Sequence, residues 1–510
     1  MVYNFLPSGR DQAFLLPPDM RDWLPADHLA WFVRDVVDQL DLGSFLAVYR
    51  ADGHGRAAYD PKLLLGVLLY AYATGVRSSR QIQRRCVEDL AFRVLAGNNT
   101  PDHVTIARFR ARHEQALAGF LVASLRLCAE AGLVRLGLLA LDGTKVAGNA
   151  ADKANRTLAK LEEEVAQILR QAAEADEREG QEHGTARGDE LPAEFADPGG
   201  RLARLRQAKS RLEADAAERQ RRYQQRVAKL AAAAHARGKP PRTHVEPRRQ
   251  DEAPNPKATA NVTDPDSRFL RTRNGSVQGY NAQAVVTEQQ IIVAAELTQD
   301  ANDVQRLHPM LRAVDQTLAA AGILDRPATV LADSGYWSIA NLTTIRDAPE
   351  LLVWPAKTGR TGKPRKDSQP SASRSDGLRA AMFARLRSEP GKARYAKRKQ
   401  TVEPVFGQLK EQQDARRFTR RSLSACEAEW KLVCGPTTCS SSGATPAAAQ
   451  HQPPPPPERR RPTMPRASPA DSHSCPATLP RPTTDRAVAQ AAGGGINTSP
   501  FSNRLLTVLR

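Results

Sequence analysis

The sequence lacks the features of a secreted or membrane protein. Its 510 residues contain no apolar run close to the roughly 18 residues that span a bilayer. The first residues, MVYNFLPSGRDQAF, lack the charged start and apolar core of a signal peptide. The six cysteines form no CxxC pair and have no matching histidine spacing, which disfavours a zinc site. We therefore expect a cytoplasmic protein whose thiols stay reduced.

Negative charge is also scarce in this chain. Lys and Arg outnumber Asp and Glu by 18, and the sequence pI is near 9.9. A charge of this sign indicates a polyanionic partner, and nucleic acid is the leading candidate. The basic run KTGRTGKPRK lacks the full phosphate-loop pattern, so it predicts a loop that folds onto DNA rather than a nucleotide site.

Residues 1–135 are predicted to form an all-helical DNA-binding domain. An apolar helix begins at Pro61 and stops at Gly75. The segments SRQIQRRCVEDLAFRVLAG and HVTIARFRARHEQAL follow, separated by the breaker residues 97–101, in a helix-turn-helix-like arrangement. A solvated charged face on an ordinary helical bundle is the alternative. The side chains expected on phosphates or base edges are Arg80, Arg84, Arg108 and Arg110.

Residues 136–434 have the pattern of an α/β domain with a mixed sheet. A strand in LGLLALDGTKVAGNA, a hairpin turning near Glu288 and Gln289, a helix over 304–321 and a strand in TVLAD are predicted. Residues 152–250 interrupt this pattern with apolar residues at three- and four-residue spacing amid charges, which predicts a helical-hairpin insertion. Such a hairpin is either a dimerisation or DNA-clamping arm or a solvated spacer.

Three acidic residues stand out as candidate metal ligands. Asp142 and Asp333 each end a short apolar stretch before a glycine-containing turn, which predicts a position at the rim of the sheet. Glu403 lies on a basic helical stretch. Hard cations such as Mg²⁺ prefer carboxylate oxygens, and two such ions roughly 3.5 to 4 Å apart assist in-line attack on a phosphodiester. The three side chains are therefore predicted to hold two Mg²⁺ ions, with Mn²⁺ as a substitute.

Several strings carry a family resemblance. LDGTKVAGNA, GYNAQAVV, LADSGYWS, YAKRKQTVEPVFGQLK and AYDPKLLLGVLLYAYATGVRSSRQIQ resemble the DDE transposases of bacterial insertion sequences, over about residues 1–434. The resemblance implies an RNase H-like catalytic domain that binds Mg²⁺ through Asp142, Asp333 and Glu403. It also implies a homo-oligomer bound to double-stranded DNA in the nucleoid, which cuts at terminal inverted repeats and joins the ends to target DNA.

The glutamate motif of that family is matched with one departure. Tyr395, Arg398, Glu403 and Lys410 fit its signature, but four residues rather than three separate the arginine from the glutamate. Either Arg398 or Lys399 therefore has the arginine's role, and Lys399 shares a helix face with Glu403 and Lys410. We expect these basic and aromatic side chains to contact DNA. Pro404 suggests that the helix starts or kinks there.

Smaller polar groups are predicted to support the carboxylates. Three of them lie in the hairpin and three follow the second aspartate, where they could orient DNA or the ligands. These candidates are Tyr280, Asn281, Gln283, Ser334, Tyr336 and Trp337.

The C-terminal region departs from the family. Where the family has a segment of the type HNLLKLWRY, this chain has TTCSSSGAT. Back-translation of the latter as ACA ACC TGC TCA AGC TCT GGC GCT ACG, one of the codon sets that encode it, gives the former when it is read one base earlier after a C. We infer a frameshift near residues 434–436, which makes residues 435–510 a proline-rich tail that is expected to be disordered.

Two other functions fit the same sequence. One is a non-catalytic DNA-binding repressor of its parent element, in which the N-terminal helices and the basic hairpin bind DNA. The other is an RNase H-like nuclease that cuts host DNA or RNA without repeat ends or strand transfer. Labelled element ends incubated with Mg²⁺ and a target plasmid separate the three, because only a transposase yields joined products.

Overall fold

The fold was obtained as a computed structural model, which describes residues 19–49, 57–183, 200–236, 255–272, 275–344, 349–355 and 374–441. Three predictions therefore fall outside the described residues, wholly or in part. They are the linker between the two helices of the insertion, the basic run KTGRTGKPRK, and the part of the predicted tail from residue 442 onwards. The expected disorder of residues 435–441 is wrong, because they belong to a helix that ends at Ser441.

The N-terminal region is helical, as predicted, and its described residues form eight α-helices. Capping residues explain two of the helix starts. Pro61 occupies the first turn of its helix, and the Asp60 carboxylate accepts from the Lys62 N–H. Asp102 caps another helix, because its carboxylate accepts from the N–H groups of residues 104 and 105. The helices are α1 (Leu29–Gln39), α2 (Gly43–Leu46), α3 (Pro61–Ala73), α4 (Ser79–Glu88), α5 (Leu90–Leu95), α6 (His103–Arg112), α7 (Glu114–Ala118) and α8 (Phe120–Glu130).

A mixed sheet follows, as the sequence predicts. Its central strand pairs antiparallel with a long strand on one side and parallel with a short strand on the other. The strands are β1 (Leu138–Ala147), β4 (Arg268–Thr272), β5 (Gly275–Thr287), β6 (Ile292–Thr298), β7 (Thr329–Ala332) and β8 (Glu350–Val353). The order is β4-β5-β1-β7-β8, and β6 pairs with β5 beside β4. Two further short strands, β2 (Asn155–Thr157) and β3 (Thr259–Asn261), pair with each other.

The predicted hairpin is confirmed, and its turn contains Glu288 and Gln289. β5 and β6 pair antiparallel on either side of it. Helix α11 (Leu307–Ala320) then leads to β7, in agreement with the predicted helix. The insertion contains α9 (Leu158–His183) and α10 (Arg201–His235), which pack together through Leu161 and Leu205.

The expected position of Asp142 at the end of a strand is wrong. β1 continues to Ala147 and pairs with β5 through Ala147 and Gly279. Gly143 fits this paired strand because a Cβ there would lie 2.2 Å from the Gln283 Nε2. The glycine therefore leaves room for a neighbouring side chain instead of making a turn.

The sheet and the N-terminal helices share a core. The last described helix, α15 (Leu423–Ser441), contributes Trp430 and Val433 to a cluster that includes Leu68 of α3 and Tyr280 of β5. The described residues between 19 and 441 belong to one compact unit. The same unit also contains the short helix α12 (Ile339–Thr344) and the longer helices α13 (Arg374–Arg387) and α14 (Glu389–Glu411). None of the described helices is long and apolar enough to cross a bilayer.

Two prolines lie inside helices. α14 begins at Glu389 and continues past Pro404, so the expected helix start at this proline is wrong. α15 likewise contains Pro436. The neighbouring Gly435 packs so closely on α8 that a Cβ would lie 2.4 Å from the Phe120 ring.

Candidate active site

Asp142 and Asp333 lie side by side on adjacent strands. Leu141 of β1 pairs with Ala332 of β7 in parallel register, and the two aspartates are the next residues on their strands. Adjacent strands are about 4.8 Å apart. The structure thus brings together two of the three predicted acids, one within a strand and the other just after one. Asp333 also caps a short 3-10 turn, because its Oδ1 accepts from the Gly335 N–H at 2.8 Å.

The Asp142 carboxylate is paired with a cation from α14. Arg398 Nη1 donates to its Oδ2 at 3.0 Å, and the two side chains are 23% (Asp142) and 12% (Arg398) exposed. Burial raises the pKa of Asp142, and the negative charge of Asp333 raises it further, while the Gly143 N–H and Arg398 lower it. The arginine predicted to contact DNA therefore neutralises a predicted metal ligand in this structure.

Glu403 lies on the same helix as Arg398 and its side chain is exposed. Five residues before it, Arg398 reaches Asp142, and seven residues after it, Lys410 donates to the Thr144 hydroxyl. The glutamate thus lies on the stretch of α14 that crosses β1. Within the described residues no three His, Cys, Asp or Glu side chains are grouped closely enough to hold a metal ion.

The other α14 residues take different positions. The Tyr395 hydroxyl donates to the backbone oxygen of Ala332 at 3.2 Å, directly before Asp333. Burial lowers the pKa of Lys410, and the nearby Arg416 lowers it further. Lys399 is exposed. Three α14 side chains are therefore directed at the part of the sheet that carries Asp142 and Asp333, namely those of Tyr395, Arg398 and Lys410.

A third aspartate, Asp303, adjoins this site and was missed by the sequence analysis. Its Oδ1 accepts from Asn281 Nδ2 at 2.7 Å and from Gln283 Nε2 at 2.8 Å, and it lies 3.7 Å from Lys145 Nζ. A Cβ built on Gly335 would be 2.9 Å from Asp333 Oδ1 and 3.4 Å from Asp303 Oδ2. The signal that could have found it is the acidic run QDAND directly after β6.

Gln283 connects the parts of this site. Besides its bond to Asp303, its Nε2 donates to Asn281 Oδ1 at 3.0 Å, and its Oε1 accepts from the Tyr336 hydroxyl. Burial raises the pKa of Tyr336 well above its ordinary value, as do the charges of the three aspartates. Tyr336 therefore stays protonated and donates. Asn281 and Gln283 thus bond to Asp303, and Tyr336 to Gln283, rather than to a predicted metal ligand. The Tyr280 hydroxyl bonds to Asp264 instead.

The N-terminal arginines differ in exposure. Arg80, Arg84 and Arg108 are exposed on α4 and α6 and are free to meet a ligand. Arg110 is 9% exposed and donates to the Tyr72 hydroxyl, the Arg77 carbonyl and the Ser79 hydroxyl. The prediction that Arg110 contacts DNA is at odds with this burial, because a guanidinium already bonded inside the helical region cannot reach a phosphate.

Comparison with known families identifies two matching regions. Residues 18–112 match the family model described as Transposase domain (DUF772), and residues 257–435 match the one described as Transposase DDE domain. The second region contains Asp333, Glu403 and all of β4 to β8. Neither the curated proteins nor the solved structures contain a significant match to the chain.

Proposed function

Because the chain belongs to the DDE transposases of insertion sequences, we propose that it binds the terminal inverted repeats of an element, cuts the DNA there and joins the ends to target DNA. The observation that carries this proposal is the pair Asp142 and Asp333, next to each other on β1 and β7 under a basic helix. An RNase H-like fold is supported by the strand order, with β6, β5 and β1 antiparallel and β7 and β8 parallel to β1.

The two aspartates fit a divalent cation. Carboxylate oxygens are the donors that Mg²⁺ prefers. Burial raises the pKa of Asp142, and the charge of Asp333 raises it further, a repulsion that a shared cation would relieve. The structure groups only the two aspartates, so Glu403 would have to approach them from α14 for the three carboxylates to hold two Mg²⁺ ions, for which Mn²⁺ can substitute. These ions would supply Lewis-acid assistance to phosphodiester cleavage.

The residues of the chain position the DNA and the carboxylates. Arg398 pairs with Asp142, and its guanidinium is close enough to take a phosphate when that carboxylate is otherwise engaged. Lys399 is exposed on the same stretch of helix and can neutralise a second phosphate. Gln283 holds the Tyr336 hydroxyl and the Asp303 carboxylate beside the two aspartates through one hydrogen bond to each.

Binding to the repeats is assigned to the N-terminal helices. Arg80, Arg84 and Arg108 are exposed and share the arginine chemistry that reads phosphates and guanine edges. The excess of 18 positive charges in the chain favours binding of DNA phosphates elsewhere on the protein surface. A homo-oligomer on paired DNA ends and a nucleoid location complete the proposal.

We propose in addition that the tail is the product of a frameshift. The match to the Transposase DDE domain ends at residue 435, which lies within the interval 434–436 that the back-translation gives for the frameshift. The residues that follow inside α15 are Pro436, Thr437 and Thr438, which are buried although they are poor helix formers. A chain altered here keeps its acidic residues but has a weakened helix in its core, and we expect weak transposition from it.

The test uses labelled DNA carrying the element's ends, with Mg²⁺ and a target plasmid. We expect cut and joined products from the frame-restored protein, and loss of both by at least 10³-fold in its Asp142→Asn, Asp333→Asn and Glu403→Gln variants, with end binding retained. Glu411→Gln is the matched control, since Glu411 is on the same helix and pairs with Arg416. If a frame-restored protein binds the ends without cutting them, the result would support the non-catalytic repressor. If it cuts the DNA without joining the ends, the result would support the nuclease.

A further inference from the structure

The two aspartates of the candidate active site have different partners. Both carboxylate oxygens of Asp142 accept a hydrogen bond, Oδ1 from the Gly143 N–H at 2.8 Å and Oδ2 from the Arg398 guanidinium at 3.0 Å. Asp333 accepts from the Gly335 N–H at 2.8 Å, and no ion pair involves it in the part of the chain that the structure describes. Of these two adjacent carboxylates, Asp142 is therefore the one that a cation of the protein already occupies.

Three consecutive basic residues of α14 point in different directions, and one of them reaches Asp142. The Arg398 side chain is largely buried against the aspartate. Lys397 pairs instead with Glu288 at 2.7 Å, and Lys399 is exposed. Successive residues of an α-helix are about 100° apart around its axis, so these three side chains cannot share one partner. The contact with Asp142 is therefore specific to Arg398 and does not follow from the general basicity of the helix.

A divalent cation shared by Asp142 and Asp333 needs an oxygen of each carboxylate. At Asp142 the Gly143 N–H belongs to the backbone of the paired strand β1, whereas the Arg398 guanidinium is at the end of a flexible side chain. The arginine is thus the partner that can move, and Oδ2 is the oxygen that it gives up. A guanidinium bonds to a phosphate as well as to a carboxylate, so DNA beside the aspartates offers Arg398 a second acceptor.

We propose that the Arg398–Asp142 ion pair is an autoinhibitory contact, which keeps divalent cations from the two aspartates until a DNA phosphate draws the arginine away. This inference rests on the proposed function and makes cation binding depend on DNA. Coupling between two ligands is reciprocal, so DNA raises the affinity for the cation by the same factor by which the cation raises the affinity for DNA. The protein without DNA therefore holds few cations at its aspartates, which protects other DNA from adventitious cutting.

Binding of Mn²⁺ to the full chain, followed by electron paramagnetic resonance of the free ion, tests the contact without any cleavage. In the absence of DNA we expect Arg398→Gln to bind Mn²⁺ about tenfold more tightly than the wild type. Arg398→Lys keeps the charge and should stay close to the wild type, and adding Asp142→Asn to Arg398→Gln should abolish the gain. Lys397→Gln is the matched control, because it removes the same charge one residue earlier, and it should change the affinity by less than about twofold.

The same titration with DNA measures the coupling. The duplex ends at the last base pair of the element, so that no bond is left to cut. Adding it should raise the Mn²⁺ affinity of the wild type by about tenfold more than that of Arg398→Gln, in which the contact is already absent. Fluorescence anisotropy of the labelled duplex, with and without Mn²⁺, should give the same difference between the two proteins.

Chemical labelling of the wild type gives a readout that does not depend on the folding of a variant. Phenylglyoxal modifies accessible arginines, and mass spectrometry should show that Arg398 reacts several-fold faster once Mn²⁺ is bound. Arg420, which pairs with Glu114 at 2.8 Å, should keep its rate. Mn²⁺ binding that leaves the labelling of Arg398 unchanged, or that is equal in the wild type and a folded Arg398→Gln protein, overturns the autoinhibitory contact alone. If neither protein binds Mn²⁺, the proposed cation site is overturned together with it.

Discussion

Arg77 and Glu429 form an ion pair that is closed to water. The guanidinium Nη2 donates to the Glu429 Oε1 at 2.6 Å, and the two side chains are 4% and 0% exposed. Arg77 also donates to the carbonyls of Asp414 and Arg417, and Glu429 accepts from the Thr419 N–H. The pair thereby ties the N-terminal helices to the segment that follows α14 and to α15.

Replacing Arg77 by Met should lower the free energy of unfolding by about 3 to 5 kcal/mol, because a buried carboxylate is left without its cation. Urea denaturation followed by tryptophan fluorescence measures the change. Lys62→Met is the control: Lys62 pairs with Asp38 at 3.0 Å, but both are about half exposed, and the loss should stay below about 1 kcal/mol. Equal losses in the two variants would contradict the importance given to burial.

Arg84 and Arg110 should separate DNA binding from stability. Arg84→Ala removes an exposed charge, so the affinity for the repeat DNA should fall, and the slope of log K against log salt should shrink by about 1. Arg110→Ala removes buried bonds and should lower the melting temperature instead. Salt titrations and thermal melts of both variants check this. If the Arg110→Ala protein is as stable as the wild type but binds DNA more weakly, Arg110 contacts DNA after all.

Gly75 and Gly322 share a φ of +78°, but only Gly75 is crowded. A Cβ on Gly75 would lie 2.6 Å from the Gln412 carbonyl oxygen, whereas one on Gly322 meets nothing within 4 Å. Alanine at either site costs about 1 to 2 kcal/mol for the left-handed backbone. We expect Gly75→Ala to lose at least about 1 kcal/mol more than Gly322→Ala in urea unfolding, since the segment after α14 has to shift. Similar losses would show that this close approach is not constrained.

Asp264 should make the stability depend on pH. Its buried carboxylate accepts from the Tyr280 hydroxyl, at 2.9 Å to each oxygen, and burial raises its pKa above the ordinary 3.8. A raised folded-state pKa gives stability that is fully present below pH 3.8 and is lost as the pH rises through the folded pKa. The melting temperature of Asp264→Asn, which cannot ionise, should therefore rise relative to the wild type from about pH 4 upward. A constant difference between the two melting curves across the range would refute this.

Restoring the reading frame after Cys434, so that HNLLKLWRY replaces TTCSSSGAT, should raise both the melting temperature and end cleavage. Each leucine that is buried contributes about 1.5 to 3 kcal/mol. Thermal melts and the end-cleavage assay provide the measurements. A restored chain that is no more stable and no more active than the present one would argue against the frameshift.

The elements with strong local patterns were predictable from the sequence. Alternation in β5 and β6 around residues 288 and 289 fixed the hairpin, and the apolar spacing in α3 and α11 fixed those helices. The strand-end aspartate in TVLAD was also placed correctly, because Asp333 directly follows β7.

The errors came from interactions between distant residues. Gly143 was taken for a turn because the Gln283 amide that it accommodates is 140 positions away. Arg110 resembled its neighbour Arg108, although it follows the buried Ile106 by four residues and so shares the inner face of α6. Arg77 and Asp303 were overlooked because their partners, Glu429 and the β5 amides, are assembled only by the fold.

The core shared by α3, β5 and α15 also governs the order of events during synthesis. Leu68 can pack in the same core as Trp430 only after the ribosome has added the intervening residues, which takes about 20 to 70 s at 5 to 20 residues per second. Until then the apolar side of the first helices stays open to chaperones and to other nascent chains. A truncated product that stops before α15 would never close this gap, so an N-terminal fragment released early is a substrate for proteolysis rather than an independent DNA-binding protein.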